Sequence, residues 1–137
     1  MVKVLYVPIF VLLGAFSPAL AAQDVGDITV PTVVVASWYN QAGQMANGQM
    51  FDKGKATVAH PVFPFGTKVR LTRVDDPSLV VDAMVTDRPA LWAGKLRPID
   101  ASPFVADKLG YIQAGLTEVS MQVLWFPPEK RHQKKRR

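Results

Sequence analysis

Between Ala46 and Asp87 the chain gathers side chains that can move a proton or hold a sugar. His60 is the only histidine ahead of the basic C-terminal run, and Asp87 follows an apolar stretch and precedes Arg88-Pro89. A carboxyl group at the end of a strand can protonate a leaving oxygen and take a proton back. Asp100, just before a helix start, is the next candidate. Each has a plainer reading beside it. His60 also reads as a loop-bonding histidine, Asp87 as a turn residue or an ion pair with Arg88, and Asp100 as a partner for a helix dipole. Asp52 and Asp82 read as solvated groups. Trp38, Tyr39, Trp92 and Trp125 are of the type that stacks on sugar rings, and equally of the type that fills cores.

Other chemistries lack their residues. The chain has no cysteine, so thiol nucleophiles, disulfides, cysteine-ligated metals and a lipid-modified cysteine are excluded. No His-x-x-x-His or EF-hand spacing occurs. No phosphate-cradling glycine loop or Gly-x-Ser-x-Gly elbow occurs either. No metal and no cofactor is expected.

The elements that must hold these residues are short. Val33 to Tyr39 is β-branched and aromatic, Lys55 to His60 alternates weakly, and Thr67 to Val74 alternates almost strictly. Asp75-Asp76-Pro77-Ser78 is a turn, and Leu79 to Asp87 is a second β run, so the pair predicts a hairpin. Ile99 to Ser102 is a brief strand, and Leu116 to Trp125 alternates as a last one. Ser102 is an N-cap candidate ahead of Pro103, and Gly110 stops the helix that begins there. Asn40 to Gly48, Pro61 to Gly66 and Pro89 to Pro98 read as loops. About six short strands and one short helix predict a small closed β-barrel. Such a barrel is too narrow for a large internal cavity, so a site belongs in a surface groove.

The ends read differently from the body. Lys3, an uncharged run from Val4 to Phe16 and Ala19-Leu20-Ala21-Ala22 predict a signal peptide over 1–21, cleaved after Ala21. Residues 22–32 read as a linker, 33–126 as the barrel and 127–137 as a basic disordered tail. The tail carries six basic residues and one acid from Glu129 onward. Without the tail and Lys3, nine basic residues stand against ten acidic ones, a formal charge of −1. The pI of about 9.7 therefore belongs to the tail. An exported chain meets little nucleic acid, so no nucleic-acid partner is expected. An anionic envelope polymer is the functional candidate for the tail, and a solubilising end the plainer one. The expectation is an exported monomer without a lipid anchor.

Taken together, Ala36-Ser37-Trp38-Tyr39, Ala46-Asn47-Gly48-x-x-Phe51-Asp52, Ala59-His60, Pro64-Phe65-Gly66-Thr67-x-Val69-x-Leu71-Thr72, Asp87-Arg88, Ile99-Asp100-x-Ser102 and Leu109-Gly110 come one after another in a known order. The sequence resembles the RlpA-like (rare lipoprotein A) domain from Val35 to Trp125. The resemblance implies a mainly β fold, a six-stranded double-psi β-barrel with one or two short helices. It implies a periplasmic lytic transglycosylase acting on peptidoglycan glycan strands, with a preference for strands stripped of peptide. The product would be a 1,6-anhydro-MurNAc end. Asp87 and His60 fall on the family's catalytic positions. Gln49 stands where the family has a glutamate, and Asp87-Arg88-Pro89-Ala90 departs from the family's Asp-Arg-Gly-Pro. Gln49, Arg88, Asn47, Trp38, Tyr39 and Trp92 are the expected substrate-binding residues. The alternatives are a non-catalytic, expansin-like glycan-binding barrel and an envelope protein that works through its tail.

Overall fold

The computed structural model describes residues 30–90 and 97–129. The expected signal peptide 1–21, most of the 22–32 linker, Trp92 and the tail from Lys130 onward lie outside the described residues. Among the described residues six strands form, β1 (Thr32–Trp38), β2 (Thr57–Ala59), β3 (Lys68–Arg73), β4 (Val80–Asp87), β5 (Ile99–Ala101) and β6 (Leu116–Trp125). One short helix, α1 (Pro103–Lys108), lies between β5 and β6.

The strands close into a barrel in the order β1-β5-β2-β4-β3-β6. The expected hairpin is present, with β3 and β4 antiparallel from Lys68↔Met84 to Thr72↔Val80. β1 pairs with β5, and β2 with β4, in parallel. The barrel is therefore mixed, and its two shortest strands, β2 and β5, lie side by side between longer ones.

Alternation explains the core. Val69 and Leu71 of β3 and Val81, Ala83 and Val85 of β4 point inward and are buried, with exposed residues between them. Val119, Met121 and Val123 of β6 and Ile99 and Ala101 of β5 complete the lining. A Leu71→Ala change removes buried methyl groups from this packing, a type of loss that costs about 2–5 kcal/mol. α1 packs its buried Val105 and Ala106 against the barrel. The Ser102 hydroxyl caps the helix, accepting from Val105 N–H at 3.4 Å while donating to the Lys55 carbonyl at 2.7 Å. Gly110 comes next with φ +73°, the left-handed conformation that ends helices. Arg73 ties β3 to this end by donating to the Leu109 and Gly110 carbonyls.

The β2–β4 ladder is irregular at its far end. Val58 pairs with Val85, but Ala59 pairs with Asp87. Thr86 is the extra residue of a bulge on β4. A regular strand would set Thr86 opposite Ala59 and turn Asp87 to the other face.

Candidate active site

The bulge puts Asp87 in a row that crosses four strands. Ser37 on β1 pairs with Asp100 on β5, Asp100 with Ala59 on β2, and Ala59 with Asp87 on β4. Directly paired residues point to the same face of a sheet. Ile99 and Ala101, the neighbours of Asp100, are core residues, so this row faces outward. Strands lie about 4.8 Å apart, which sets the Cα atoms of Asp87 and Asp100 roughly 10 Å apart. Only the Ala59 methyl lies between them in the row. Two carboxylates thus flank Ala59 on the outer face of the sheet, where Ala59 and Asp87 are covered by the surrounding loops.

The two carboxylates are held differently. Asp87 is 7 % exposed and accepts four hydrogen bonds. Its Oδ1 takes the backbone N–H of Ala46 at 2.8 Å and of Arg88 at 2.9 Å. Its Oδ2 takes the Tyr39 hydroxyl at 2.8 Å and the Gln41 amide at 3.2 Å. A carboxylate has about four acceptor positions, so this one is filled. Asp100 is half-buried and accepts from the Ser37 hydroxyl at 3.0 Å. Burial pushes its carboxyl above the usual range. The Ser37 bond and Arg97 oppose that push, and the charge of Asp87 adds to it.

The loop between β1 and β2 builds the lid over Asp87. Gly48 takes φ +88° at the turn, and the Asn47 side chain accepts from Gln49 N–H at 3.0 Å. Behind the turn, Met45 is buried, with its sulfur accepting from the Thr86 hydroxyl. Asn47 N–H donates to the Thr86 carbonyl. These contacts clamp the loop onto the bulge and aim Ala46 N–H at Asp87. The Ala46-Asn47-Gly48 stretch acts here through its backbone.

His60 comes directly after Ala59, and its backbone N–H donates to the Asp87 carbonyl at 3.2 Å. Its Nδ1 accepts from Val62 N–H and Phe63 N–H at 3.2 and 3.0 Å, so the ring proton sits on Nε2. Burial, and next the charge of Arg88, lower its pKa to about 4. The ring is a neutral group stacked on Phe63 with centroids 3.8 Å apart. The guanidinium of Arg88 does not pair with the Asp87 carboxylate. It donates to the His60 and Asp87 carbonyls and lies 4.0 Å over the Phe65 ring.

The remaining expected residues spread out. Tyr39 joins the site through its hydroxyl rather than as a free stacking face. Burial first, then the bond to Asp87 and the charges of Asp87 and Asp100, push its phenol well above the ordinary range. It stays a donor at any working pH. Trp38 packs against the core and donates to the Ile112 carbonyl. Gln49 is exposed, and its side chain accepts from Asn47 at 2.9 Å, while the four bonds to Asp87 come from elsewhere. Gln41, Ser37 and the Ala46 N–H are additions to the expected site. Gln41 lies in a polar loop with no period, and a backbone donor leaves no mark on residue type.

Comparison with known proteins adds to this geometry. A family model described as lytic transglycolase matches residues 32–121. A probable endolytic peptidoglycan transglycosylase RlpA of Synechocystis is 31 % identical over 93 residues, 66 % of this chain and 28 % of that protein. The endolytic peptidoglycan transglycosylase RlpA of Vibrio cholerae is 34 % identical over 92 residues, 65 % of this chain and 34 % of that protein. The namesake from Pseudomonas aeruginosa PAO1 is 36 % identical over 93 residues, 66 % of this chain and 26 % of its own length. The match spans about a third or less of each relative. Among solved structures, the Streptomyces papain inhibitor SPI aligns with a TM-score of 0.58 at 17 % identity. It covers 72 % of this chain and 98 % of that one, a likeness of fold alone.

Proposed function

The chain belongs to the lytic transglycolase family, and from that premise we propose that it cleaves the glycan strands of peptidoglycan by transglycosylation, outside the cytoplasm. The observation that carries this reading is the outward row Asp100–Ala59–Asp87, with one carboxylate filled as an acceptor and the other biased toward keeping its proton.

The division of labour comes from the hydrogen bonds. The four donors fix the orientation of Asp87, so it serves as the positioned electrostatic group. Positive charge that develops on the sugar ring at the breaking bond is stabilised by such a preorganised group. Asp100 carries the proton. It donates to the glycosidic oxygen of the MurNAc–GlcNAc bond, and the C1–O bond breaks. The Asp100 carboxylate then takes the proton of the MurNAc C6 hydroxyl, and O6 closes onto C1. The product is a 1,6-anhydro end, no water is consumed and the acid is restored. This differs from the expectation that Asp87 alone serves as acid and base. The neutral His60 holds the 60–63 loop, which leaves its Nε2–H as a donor for a sugar hydroxyl.

Purified protein incubated with peptide-free glycan strands tests the proposal, with products read by mass spectrometry. Anhydro ends from the wild type, lost in both Asp87→Asn and Asp100→Asn, support it. Hydrolysed reducing ends would replace transglycosylation by hydrolysis. Binding without any cleavage would leave a glycan-binding barrel.

A further inference from the structure

A second feature adjoins the carboxylates on the side of the β1–β2 loop. Asn40, Gln41, Met50, Phe51, Asp52, Lys53 and Lys55 line an open cleft of about 430 Å³, within the range of small-ligand sites. Its lining has three kinds of surface. Asn40 and Gln41 present amides that donate and accept. Phe51 and Met50 present an apolar wall, with Met50 65 % exposed. Lys53 and Lys55 form a basic rim.

The cleft connects to the site through two residues. Gln41 lines it while donating Nε2–H to Asp87 Oδ2. Phe51 lines it while its ring contacts Tyr39, with centroids 5.1 Å apart, and Tyr39 donates to Asp87. A ligand in the cleft therefore meets Gln41 and Phe51, which connect it to Asp87 directly and through Tyr39.

The lysines rise from a backbone that is fixed. The Lys53 carbonyl accepts from Phe104 N–H at 3.1 Å, and the Lys55 carbonyl accepts from the Ser102 hydroxyl at 2.7 Å. Both anchors belong to the start of α1, so the rim is tied to the core. Asp52, the acid of the lining, has Oδ1 occupied by Gly54 N–H at 2.9 Å. The charged groups of the lining are thus two ammonium groups against one engaged carboxylate, a net charge of +1.

We propose that this cleft is a subsite for a carboxylate-bearing sugar, with Lys53 and Lys55 reading the carboxylate, Asn40 and Gln41 bonding the sugar's hydroxyl or acetamido groups, and Phe51 and Met50 covering its apolar face. The proposal rests on the reading of the chain as a protein that acts on peptidoglycan glycan. In such strands the carboxylate comes from one of two sources, the lactyl group of a peptide-free MurNAc or an acid group of an attached peptide. The cleft lies beside the carboxylate row, so the lactyl source, carried on the sugar itself, is the one the geometry favours.

The test compares three substrates in binding and in initial rate. They are peptide-free glycan strands, the same strands with lactyl carboxylates coupled to methylamine, and strands still bearing peptide. Exposed ion pairs contribute modestly, so wild type should favour the charged peptide-free strands over the amidated ones by roughly three- to tenfold. The Lys53→Gln/Lys55→Gln variant should bring that ratio to near one, whereas Lys68→Gln, on the outer face of β3, should keep it. Amide shifts on adding peptide-free strands should fall on Asn40, Gln41, Phe51, Lys53 and Lys55. A ratio unchanged in the double variant overturns the subsite. So does equal binding of peptide-bearing and peptide-free strands, or shifts confined to the Phe65 and Trp125 side. Glycan binding with these shifts but without cleavage keeps the subsite and removes the enzymatic reading. Absence of binding to every strand overturns both.

Discussion

β4 carries two aspartates, and they live in opposite conditions. Asp82, in its regular part, forms a two-point pair with Arg70 at 2.7 and 2.9 Å across the hairpin, with both side chains about half exposed. Asp87, beyond the bulge, is buried and takes four hydrogen bonds, none from a cationic side chain. Water and salt share the work at Asp82, and such pairs contribute little. At Asp87 the protein has replaced water with fixed donors. The lesson is that the carboxylate proposed as functional is marked by neutral donors from distant segments, while the better-looking ion pair lies on the solvent face.

The largest effect separates the two ends of the strand. Asp100→Asn should lower anhydro-product formation about 10²- to 10⁴-fold, the usual range for losing a positioned acid or base, and Asp87→Asn about 10²- to 10³-fold, the range for losing a preorganised electrostatic group, while Asp82→Asn should leave the rate near wild type. Residual activity of Asp87→Asn should also fall off at lower pH than wild type. Burial holds the Asp100 proton in both, but the variant lacks the neighbouring charge that helps to hold it. A pH–rate profile with an unmoved alkaline limb would detach the two carboxylates from each other.

The pH dependence of folding extends the contrast to His60. Its folded pKa lies at about 4, below the ordinary 6.5. The neutral ring favours the fold, so this contribution is complete above about pH 6.5 and is lost as pH falls from there toward 4. At about 1.4 kcal/mol per unit it amounts to at most about 3 kcal/mol. Denaturant titrations at pH 7.5 and 4 should show that loss in wild type and a flatter profile in His60→Gln. An equal slope in both would place the acid sensitivity elsewhere.

A smaller change acts on one donor. Tyr39→Phe keeps the ring against Phe51 and removes the 2.8 Å bond to Asp87. About 1 kcal/mol of stability should be lost, with a rate drop on the order of tenfold. The smallest effect belongs to Gln49→Glu. The side chain is exposed and bonded to Asn47, so a new charge there is screened by solvent. Activity near neutral pH should rise by no more than about threefold, and less at high salt. A tenfold rise would mean that this side chain turns inward over the carboxylates when substrate binds.

The regular side of the barrel is legible because its chemistry repeats. β3, β4 and β6 alternate between core and solvent over six to ten residues, long enough for a period of two to be read. β2 and β5 have three residues each, too few for any period. Their parallel pairings also bring together residues far apart in sequence. Asp87, His60 and Asp100 are legible as residue types, and the family pattern supplies their order. The donors to Asp87 are not, since one is a tyrosine hydroxyl on a residue type that also fills cores, one a glutamine in a polar run and two are backbone groups. The bulge at Thr86 is hidden for a related reason, because an added residue alters which face a side chain takes without altering the composition of the strand.

Barrel closure also bears on how the proposed site assembles during folding. β1 is held by β5 and β6, and the bond from Ser37 to Asp100 spans 63 residues while that from Tyr39 to Asp87 spans 48. Closing such long loops is entropically costly, and chains dominated by distant pairings fold slowly, on a scale of roughly milliseconds to seconds. The β3–β4 hairpin, joined through the short Asp75–Ser78 turn, can form early and alone. The carboxylate row cannot, because β2 must first lie between β4 and β5, and its donors Ser37 and Tyr39 arrive only when the first strand docks beside the fifth. In refolding from denaturant, the Trp38 fluorescence signal and glycan cleavage should therefore recover together, behind amide protection in β3 and β4. The newly made chain would then lack the assembled site until its barrel has shut.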